Sequence, residues 1–484
     1  MTCKEVDVLV VGNGPSAISL SYLLSGWTPY YQPQEVPEDD LLHMRLAYQN
    51  NDIPFTEMDL QELSDGLQGR TDNPVALVFD QLCHPYADMG SDIPSQLHWV
   101  RQKERAVSHL VIGKEHQPGG VWQNVQRDMK TLSRSSWMEL PDFPFKLYLQ
   151  QQSERMGVDT TYNIGERANM HEVTSYYEHY VKAKCLTSNF MNGCRVTAVE
   201  KVPVSPQLVN QDTGEVEAHD ADHIWEVSVQ RLENDVNCIE DQFSVRAKSV
   251  VLATGTSDVP NMMGVPGENL DFVKHSVQGI YNSLAAAEHD DSFPVLVIGA
   301  GLSAADAILS ARKRDLHVIH VFRETPCGNP TQMLKKLPKA IYPEYVHMYE
   351  LMCGDIQTDW YKSYAQYRVN SFLENHQVIL ENEEGEREIL EISLALVQIG
   401  SGPDLSFMPS QGTTLGLLKG HKIDLKHNLL DVDPFSYESQ VEKGLYAMGP
   451  LVGDNFVRFL KGGAIAIAQD IQRKKGIISS HAGA

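Results

Sequence analysis

The sequence predicts an α/β protein with two dinucleotide-binding domains, the second inserted into the first. Two segments that read strand, glycine turn and helix predict this fold class; one begins at Asp7 and the other at Asp291. The third observation is an apolar strand that ends in Ala253-Thr254-Gly255. Proteins with two such domains use a strand of this kind where the chain passes between the cofactor-binding units, because small residues let the backbone run beside the bound molecules.

The first glycine turn follows the apolar run Val8–Val11, which is typical of a strand buried on both faces of a parallel sheet. Gly12 allows the sharp turn off the strand, Gly14 lets the backbone approach a pyrophosphate, and Ala17 lets the next helix lie against the strand. Free N–H groups at the start of that helix would hold the phosphates. Glycine turns have many other uses, but the place between a strand and a helix favours a dinucleotide. The residues expected to bind it are Gly12, Gly14, Pro15, Ser16 and Ala17.

Length and charge bound the classes of function. The 484 residues suffice for two or three domains, each with its own core. The formal net charge of −24 argues against nucleic acids and anionic membrane surfaces as partners. No signal peptide precedes the first strand, and no uninterrupted run of 18 apolar residues predicts a membrane span. We therefore expect a cytoplasmic protein, with the nucleus as the alternative.

The cysteines supply no obvious chemistry. All seven are scattered along the chain, and no pair has the C-x-x-C spacing. This pattern indicates reduced thiols in an intracellular protein, with neither a redox dithiol nor a metal site. A pyridine nucleotide–disulfide reductase that works through such a pair is therefore not expected.

The segment Trp27–Tyr31 is predicted to be the second strand of the first unit. An acidic residue at the end of that strand normally binds the ribose hydroxyls of the cofactor. Glu35 is the candidate here, although the acidic segment around it is also typical of a solvated loop. The polar stretch from about 50 to 106 is interpreted as excursions from the first domain.

A second glycine loop follows the predicted strand Val107–Gly113. Gly119 and Gly120 form a tight turn that carries Trp122. The turn is either a hairpin with a core tryptophan, or a loop that closes over a flat ring system which Trp122 shields.

The second strand–turn–helix segment repeats the first. Gly299, Gly301 and Ala304 have the same spacing after a buried strand, and Ser303 lies among them at the start of the helix. The following strand ends in Arg323, at the place where an acidic residue would bind a ribose 2′-hydroxyl. Because arginine instead accommodates a 2′-phosphate, the second site is predicted to prefer NADPH to NADH.

The C-terminal part returns to the first unit, and it begins with a further buried strand, Leu394–Gly400. A strand from Gly444 to Gly449 leads to Gly453 and Asp454, just before a helix. The carboxylate of Asp454 would lie near the ribityl hydroxyls of a flavin, or it would cap the last helix. A helix is also predicted over 171–184 and a strand over 224–229.

With these motifs placed, the chain resembles the flavin-containing and N-hydroxylating monooxygenase superfamily over most of its length. It resembles the oxidative stress-induced growth inhibitor family more closely. The narrower resemblance is carried by Leu23–Tyr30, Pro118–Trp122, Tyr342–Tyr345 and Gly449–Arg458.

The resemblance implies FAD in a domain formed by residues 1–258 and 386–484, and NADPH in an inserted domain formed by residues 259–385. It also implies an NADPH-consuming monooxygenase that oxygenates a small nucleophilic substrate with O2 through a C4a-(hydro)peroxyflavin. A role in the control of growth and differentiation is implied in the same way. The cofactor-binding residues would be those of the two glycine turns, together with Gly119, Gly120, Trp122, Thr254, Gly255, Arg323, Gly453 and Asp454.

The chain departs from the superfamily pattern at two places, and the first of these, like the unclear ribose acid, favours a different function. The asparagine that lies beside the flavin in flavin-containing monooxygenases falls at Leu132, where Ser133 or Asn124 could substitute. The F-x-G-x-x-x-H fingerprint is incomplete around His275. The alternative is a regulatory flavoprotein that binds FAD and NADPH as a sensor or scaffold without oxygenating a substrate. No catalytic side chain is assigned, because such chemistry is mainly that of the cofactor.

Overall fold

The computed structural model describes residues 4–33, 40–48, 53–91, 93–125, 129–156, 167–203, 223–232, 239–275, 293–325 and 333–479. Glu35 and three of the cysteines (Cys3, Cys238 and Cys327) lie outside the described residues. The described part of the chain divides into two compact units, 1–256 with 403–484 and 257–402.

The described strands, in chain order, are β1 (Lys4–Val11), β2 (Trp27–Tyr31), β3 (Leu97–Arg101), β4 (His109–Gly113), β5 (Lys130–Arg134), β6 (Arg167–Asn169), β7 (Phe190–Asn192), β8 (Cys194–Pro203), β9 (His223–Leu232), β10 (Ile239–Leu252), β11 (Val259–Pro260), β12 (Val273–Lys274), β13 (Val295–Ile298), β14 (Val318–Phe322), β15 (Tyr361–Ala365), β16 (Tyr367–Leu373), β17 (Gln377–Asn382), β18 (Arg387–Glu391), β19 (Leu394–Val397), β20 (Ser401–Gly402) and β21 (Leu445–Ala447). The described α-helices, in chain order, are α1 (Pro15–Leu24), α2 (Leu41–Tyr48), α3 (Leu60–Ser64), α4 (Pro74–Cys83), α5 (Phe145–Met156), α6 (Met170–Ala183), α7 (Leu302–Arg312), α8 (Pro343–Cys353) and α9 (Val457–Lys474).

The first unit is built on a seven-stranded sheet in the order β7-β4-β1-β10-β9-β8, with β21 paired to β10. Strands β7, β4, β1, β10 and β21 run parallel, whereas β8 and β9 are antiparallel additions. The centre is apolar because Val8–Val10 of β1 and Leu110–Ile112 of β4 are buried. This burial explains the continuous apolar runs in the sequence.

Helix α9 closes the first unit over α1 and α4. It lies so close to α4 that a Cβ at Gly462 would come within 2.2 Å of the Cα of Ala76. All residues of α1 are buried, from Pro15 to Leu24. Helix α4 buries eight of its residues, so the predicted excursion between 50 and 106 includes a core helix.

Strand β2 forms where the sequence predicts it, but it lies outside the parallel sheet. It pairs antiparallel with β3 in a separate two-stranded sheet, and β4 takes the place beside β1. Pro29 of β2 cannot donate a ladder hydrogen bond, so a two-stranded ribbon suits this segment better than the sheet centre. The predicted strand is therefore confirmed, but it does not supply a strand end at the parallel sheet.

The second unit has a five-stranded parallel sheet in the order β12-β19-β13-β14-β15. An antiparallel meander of β16, β17 and β18 belongs to the same unit. Because β19 pairs with β13, the boundary of this unit lies at 402 and not at 385. Leu394–Val397, assigned from the sequence to the returning first unit, is a buried strand of the second.

Candidate functional site

The first glycine turn and the Ala253-Thr254-Gly255 segment are in direct contact. The N–H of Ala253 donates to the carbonyl of Val11 over 2.9 Å. Gly12 has φ +112, and a Cβ there would lie 2.3 Å from the carbonyl oxygen of Ala253. Glycine at this position is therefore required by the fold itself.

Gly14 has a different reason to be glycine. It is the N-cap of α1 with φ −77, and a Cβ there would meet nothing closer than 3.9 Å. No side chain caps α1, and no acidic residue lies in its first turn. The protein leaves space at the positive end of a helix, which is the geometry that binds phosphate groups.

The Gly119–Gly120 loop lies against this turn. The N–H of Gly119 donates to the carbonyl of Asn13 over 2.8 Å, and a Cβ at Gly120 would lie 2.9 Å from the Cα of Gly14. The Trp122 ring packs edge-on against Tyr177, with 6.2 Å between the ring centroids. The loop is therefore held at the first turn through its two glycines, while Trp122 contacts the core beneath it.

The C-terminal segment also reaches the first turn. A Cβ at Gly449 would lie 2.7 Å from Oγ of Ser16, the buried second residue of α1. Oγ1 of Thr254 is buried and has no hydrogen-bond partner among the described residues. An unpaired buried hydroxyl is costly and rare, so this group fits a bound molecule as its partner.

Asp454 is fully buried beside this assembly. Its carboxylate accepts hydrogen bonds from Nδ2 of Asn73 (2.8 Å), Oγ1 of Thr71 (3.2 Å) and the hydroxyl of Tyr437 (3.1 Å). Burial raises the pKa of Asp454 to about 7, and these hydrogen bonds oppose the rise. Helix α9 has Phe456 at its N-cap without a side-chain cap, so Asp454 is not the cap of that helix.

The two cations nearest to Asp454 in sequence are used inside the protein. Arg458 pairs with Asp80 over 2.5 Å and with Asp88 over 2.7 Å. Nζ of Lys461 lies 2.9 Å from Nε2 of His84. Burial and the adjacent cations hold the pKa of His84 well below its usual value, so its neutral ring accepts a hydrogen bond from Lys461.

The acidic residue expected to bind the ribose beside the first glycine turn is not confirmed by the described residues. Glu35 lies outside the described residues, and the strand that it follows is not in the sheet. The strand beside β1 is β4, which ends at Gly113 and is followed by Glu115. Glu115 is therefore the first acidic residue after the strand beside β1, a position that the sequence analysis did not single out. The sequence does contain a signal, because Glu115 comes two positions after the end of a fully buried strand.

The side chain of Asn13 fills the space beside Gly113. A Cβ at Gly113 would lie 2.1 Å from Cγ of Asn13. Nδ2 of Asn13 donates to the carbonyl of Glu115 (2.9 Å) and to Oδ1 of Asn192 (2.9 Å). This amide joins the first turn to the ends of β4 and β7.

Leu132, at the predicted flavin-facing position, lies on β5 and is half-buried. The two residues that could substitute for the missing asparagine, Ser133 and Asn124, are also half-buried. In the second unit, Nε2 of His275 is hydrogen-bonded to Oε1 of the buried Glu268 over 3.0 Å. Glu268 also accepts the backbone N–H groups of Met263 and Gly264, each over 2.7 Å. His275 is therefore part of a structural clamp on that loop.

The second glycine turn reproduces the two different glycine roles. Gly299 has φ +125, and a Cβ there would lie 2.1 Å from the carbonyl oxygen of Gln398. Gly301 is the N-cap of α7 with φ −92, and no atom lies within 4 Å of the Cβ position. Helix α7 has no side-chain cap and no acidic residue in its first turn. Ser303 and Arg323 are exposed, and Ala304 is buried.

Comparison with known proteins identifies the chain. It is 40% identical over 478 residues to mouse (Mus musculus) oxidative stress-induced growth inhibitor 1, with 98% of this chain and 96% of the relative covered. It is 37% identical over 501 residues to human (Homo sapiens) oxidative stress-induced growth inhibitor 2, with 98% and 95% covered. The chain belongs to the oxidative stress-induced growth inhibitor family. The model of the pyridine nucleotide-disulphide oxidoreductase family matches residues 212–449 of this growth inhibitor family member.

Several solved structures have the same fold as this protein. The bacillithiol disulfide reductase YpdA of Bacillus cereus aligns with TM-score 0.57 and 17% identity, covering 97% of this chain and 100% of the other. The ornithine N-hydroxylase KtzI of Kutzneria sp. 744 aligns with TM-score 0.56 and 15% identity, covering 97% and 100%. A flavin monooxygenase of Stenotrophomonas maltophilia aligns with TM-score 0.53 and 14% identity, covering 98% and 99%. The predicted two-dinucleotide flavoprotein fold is confirmed.

Two of these solved structures are flavin-dependent enzymes by their names, and the matching family model is that of pyridine nucleotide-disulphide oxidoreductases. Among the described residues, no helix combines the length and the apolar character needed to cross a membrane.

Proposed function

We propose that the protein is an FAD-dependent, NADPH-consuming monooxygenase that uses O2 to oxygenate a small nucleophilic substrate. FAD occupies the unit formed by both ends of the chain, and NADPH occupies the inserted unit. A bound flavin would supply the redox chemistry, as acceptor of a hydride from NADPH and as electron donor to O2. The relatives' names add control of growth to this proposal.

The observation that carries the proposal is the pair of helix caps at Gly14 and Gly301. Both glycines have negative φ and space for a Cβ, so the chain's own conformation does not require glycine at either place. Serine, asparagine or aspartate would cap these helices better. A pyrophosphate that comes close to the backbone explains glycine at both positions.

In the first unit, the α1 N-terminus binds the FAD pyrophosphate beside Gly12, Pro15, Ser16 and Ala17. The Gly119–Gly120 loop, with Trp122, covers this turn. The unpaired hydroxyl of Thr254 and the adjacent Gly255 border the bound cofactor. Glu115 binds the adenosine ribose.

Asp454 and Gly453 serve the ribityl end of the same cofactor. Asp454 is already held by Asn73, Thr71 and Tyr437, so its position is fixed before a cofactor binds. A prearranged acceptor costs less to use than one that must be ordered on binding.

In the second unit, the α7 N-terminus with Gly299, Gly301, Ser303 and Ala304 binds the NADPH pyrophosphate. Arg323 follows β14 and binds the 2′-phosphate. Its exposure supports this role, because the side chain is accessible to a ligand.

A regulatory flavoprotein without oxygenase activity is the second candidate. Leu132 favours it, because an apolar side chain at this position removes a hydrogen-bonding group from beside the flavin. The two candidates differ in whether flavin reduction by NADPH leads to an oxygenated product.

The experiment starts from the purified protein and two matched variants. We expect the wild-type protein to carry FAD and to be reduced by NADPH. Gly14→Ala is expected to lose FAD, because the added methyl group fills the phosphate space of the first cradle. Gly301→Ala is expected to keep FAD but to lose reduction by NADPH.

The outcomes separate the candidates. O2 uptake that matches the formation of an oxygenated product supports the monooxygenase. Flavin that is bound but not reduced by NADPH supports the regulatory protein, and peroxide release without product leaves a weak oxidase. A protein that binds no flavin under any condition contradicts both candidates.

A further inference from the structure

A buried histidine lies directly beneath the second glycine turn. His320 is on β14, which lies between β13 and β15 in the sheet, and only 1% of it is exposed. Its Nε2 is 2.6 Å from the carbonyl oxygen of Gly299, and its Nδ1 is 2.7 Å from the hydroxyl of Tyr361 on β15. The Phe322 and Tyr361 rings pack around it.

These two contacts fix the tautomer of His320. A carbonyl oxygen only accepts hydrogen bonds, so Nε2 must carry the proton that is donated to Gly299. Burial lowers the pKa of His320 to about 4, so the ring is neutral and Nδ1 is an acceptor. Burial also raises the pKa of Tyr361, which keeps its hydroxyl protonated as the donor to Nδ1.

Gly299 is held by hydrogen bonds at both its N–H and its carbonyl group. Its conformation, with φ +125, leaves no room for a side chain against Gln398, and its N–H donates to the carbonyl of Val321 over 3.0 Å. His320 then holds the carbonyl toward the interior. Because the peptide is trans, the N–H of the next residue points away from His320, so the contact with His320 fixes the orientation of the whole peptide plane.

We propose that His320 is a positioning residue, which holds the Gly299 peptide so that the second turn is ready for the pyrophosphate of the nicotinamide nucleotide, with Tyr361 selecting the required tautomer. This inference rests on the proposed NADPH site. His320 does not touch the nucleotide in this scheme. A turn already in its binding conformation binds more tightly, because no binding energy is used to reorganise it.

Four variants test the chain of contacts. Tyr361→Phe removes the hydrogen bond to Nδ1, and His320→Met removes the donor to Gly299. His320→Gln keeps an N–H donor at the end of a planar amide. Tyr364→Phe is the matched control, because Tyr364 lies on the same strand and its hydroxyl donates to Glu388 over 2.6 Å, whereas His320 is bonded to the hydroxyl of Tyr361.

The first readout is the dissociation constant for NADP+ measured on the FAD-loaded protein. We expect it to rise about tenfold in His320→Met and Tyr361→Phe, which is about 1.4 kcal/mol. We expect His320→Gln to recover most of this loss and Tyr364→Phe to bind like the wild type. The FAD content should be the same in all variants.

The second readout is amide hydrogen exchange over 299–303, which requires no nucleotide. We expect faster exchange in His320→Met and Tyr361→Phe, and wild-type exchange in Tyr364→Phe. Wild-type affinity and exchange in His320→Met and Tyr361→Phe would overturn the inference, as would an equal loss of affinity in Tyr364→Phe. A wild-type protein that binds no NADP+ would contradict the proposed second site. Unchanged amide exchange over 299–303 in His320→Met and Tyr361→Phe would separately contradict the role of His320.

Discussion

Asp454 accepts a hydrogen bond of 2.8 Å from Nδ2 of Asn73, a residue 381 positions earlier in the chain. The contact joins the loop before α4 to the loop before α9. Because the donors around Asp454 are neutral amides and hydroxyls, burial dominates its titration and raises its pKa to about 7.

This raised pKa makes the stability of the first unit depend on pH. The folded state keeps a proton on Asp454 up to about pH 7, whereas the unfolded chain releases it near its usual pKa of 3.8. The contribution is therefore fully present below the unfolded pKa and is lost as the pH rises through the folded pKa. Asp454→Asn should remove this loss, so that its stability relative to wild type grows by about 2 kcal/mol between about pH 5 and pH 7.

The measurement is urea unfolding of the flavin-free protein across this pH range. Asp65→Asn is the control, because the Asp65 side chain is 86% exposed. A stability difference between Asp454→Asn and wild type that does not change with pH would contradict the assignment.

The two glycines of the first turn should respond differently to alanine. Gly12→Ala places a Cβ 2.3 Å from the carbonyl of Ala253 at positive φ, so we expect a loss of about 2–4 kcal/mol in the free energy of unfolding. Gly14→Ala meets no close atom in the protein and should cost less than about 1 kcal/mol. Unfolding of the flavin-free variants measures both, and equal losses would show that the glycines do not have separate roles.

Arg323 should set the choice between the two nicotinamide nucleotides. Arg323→Ala should raise the KM for NADPH about tenfold and leave that for NADH unchanged, because a charge-assisted hydrogen bond to the 2′-phosphate is lost. Arg312→Ala is the control in the same unit, since that guanidinium lies 5.0 Å from the centre of the Trp360 ring. An unaltered preference in Arg323→Ala would refute the assignment.

The buried pair of Arg458 and Asp80 should stabilise the contact between α9 and α4. Both side chains are at most 5% exposed, so Asp80→Asn leaves a buried guanidinium whose remaining charged partner among the described residues is Asp88. We expect a loss of about 3 kcal/mol. Glu226→Gln breaks the exposed pair with Arg246 and should cost less than about 1 kcal/mol. Chemical unfolding of both variants measures these losses in the free energy of unfolding. Similar losses in Asp80→Asn and Glu226→Gln would contradict the prediction.

The parts of the fold that depend on neighbouring residues, such as the two strand–turn–helix segments, could be predicted from the sequence. The spacing of Gly12 and Gly14 describes one turn and its helix, and the same pattern at Gly299 and Gly301 describes the other. Such patterns are short-range, because a strand, a tight turn and a helix start are each specified within a few residues. The helix predicted over 171–184 is confirmed as α6 for the same reason.

The remaining features depend on contacts between distant residues. Nothing in the run Trp27–Tyr31 shows that it pairs with β3 and leaves the place beside β1 to β4. Glu115, which we propose binds the ribose, lies 102 positions after Asn13, far from where the usual spacing places such an acidic residue. The partners of Asp454 could not be predicted, because hydrogen bonds from Thr71 and Asn73 follow from the packing of the loop before α4.

The insertion of one unit into the other also orders the synthesis of the chain. Residues 257–402 form a unit with its own sheet, and all of them leave the ribosome before β21 and α9 have been made. The first unit cannot complete its sheet until residue 447, nor cover α1 until α9 follows. The inserted unit is thus free to fold during translation, while the host unit waits for its last strand and helix.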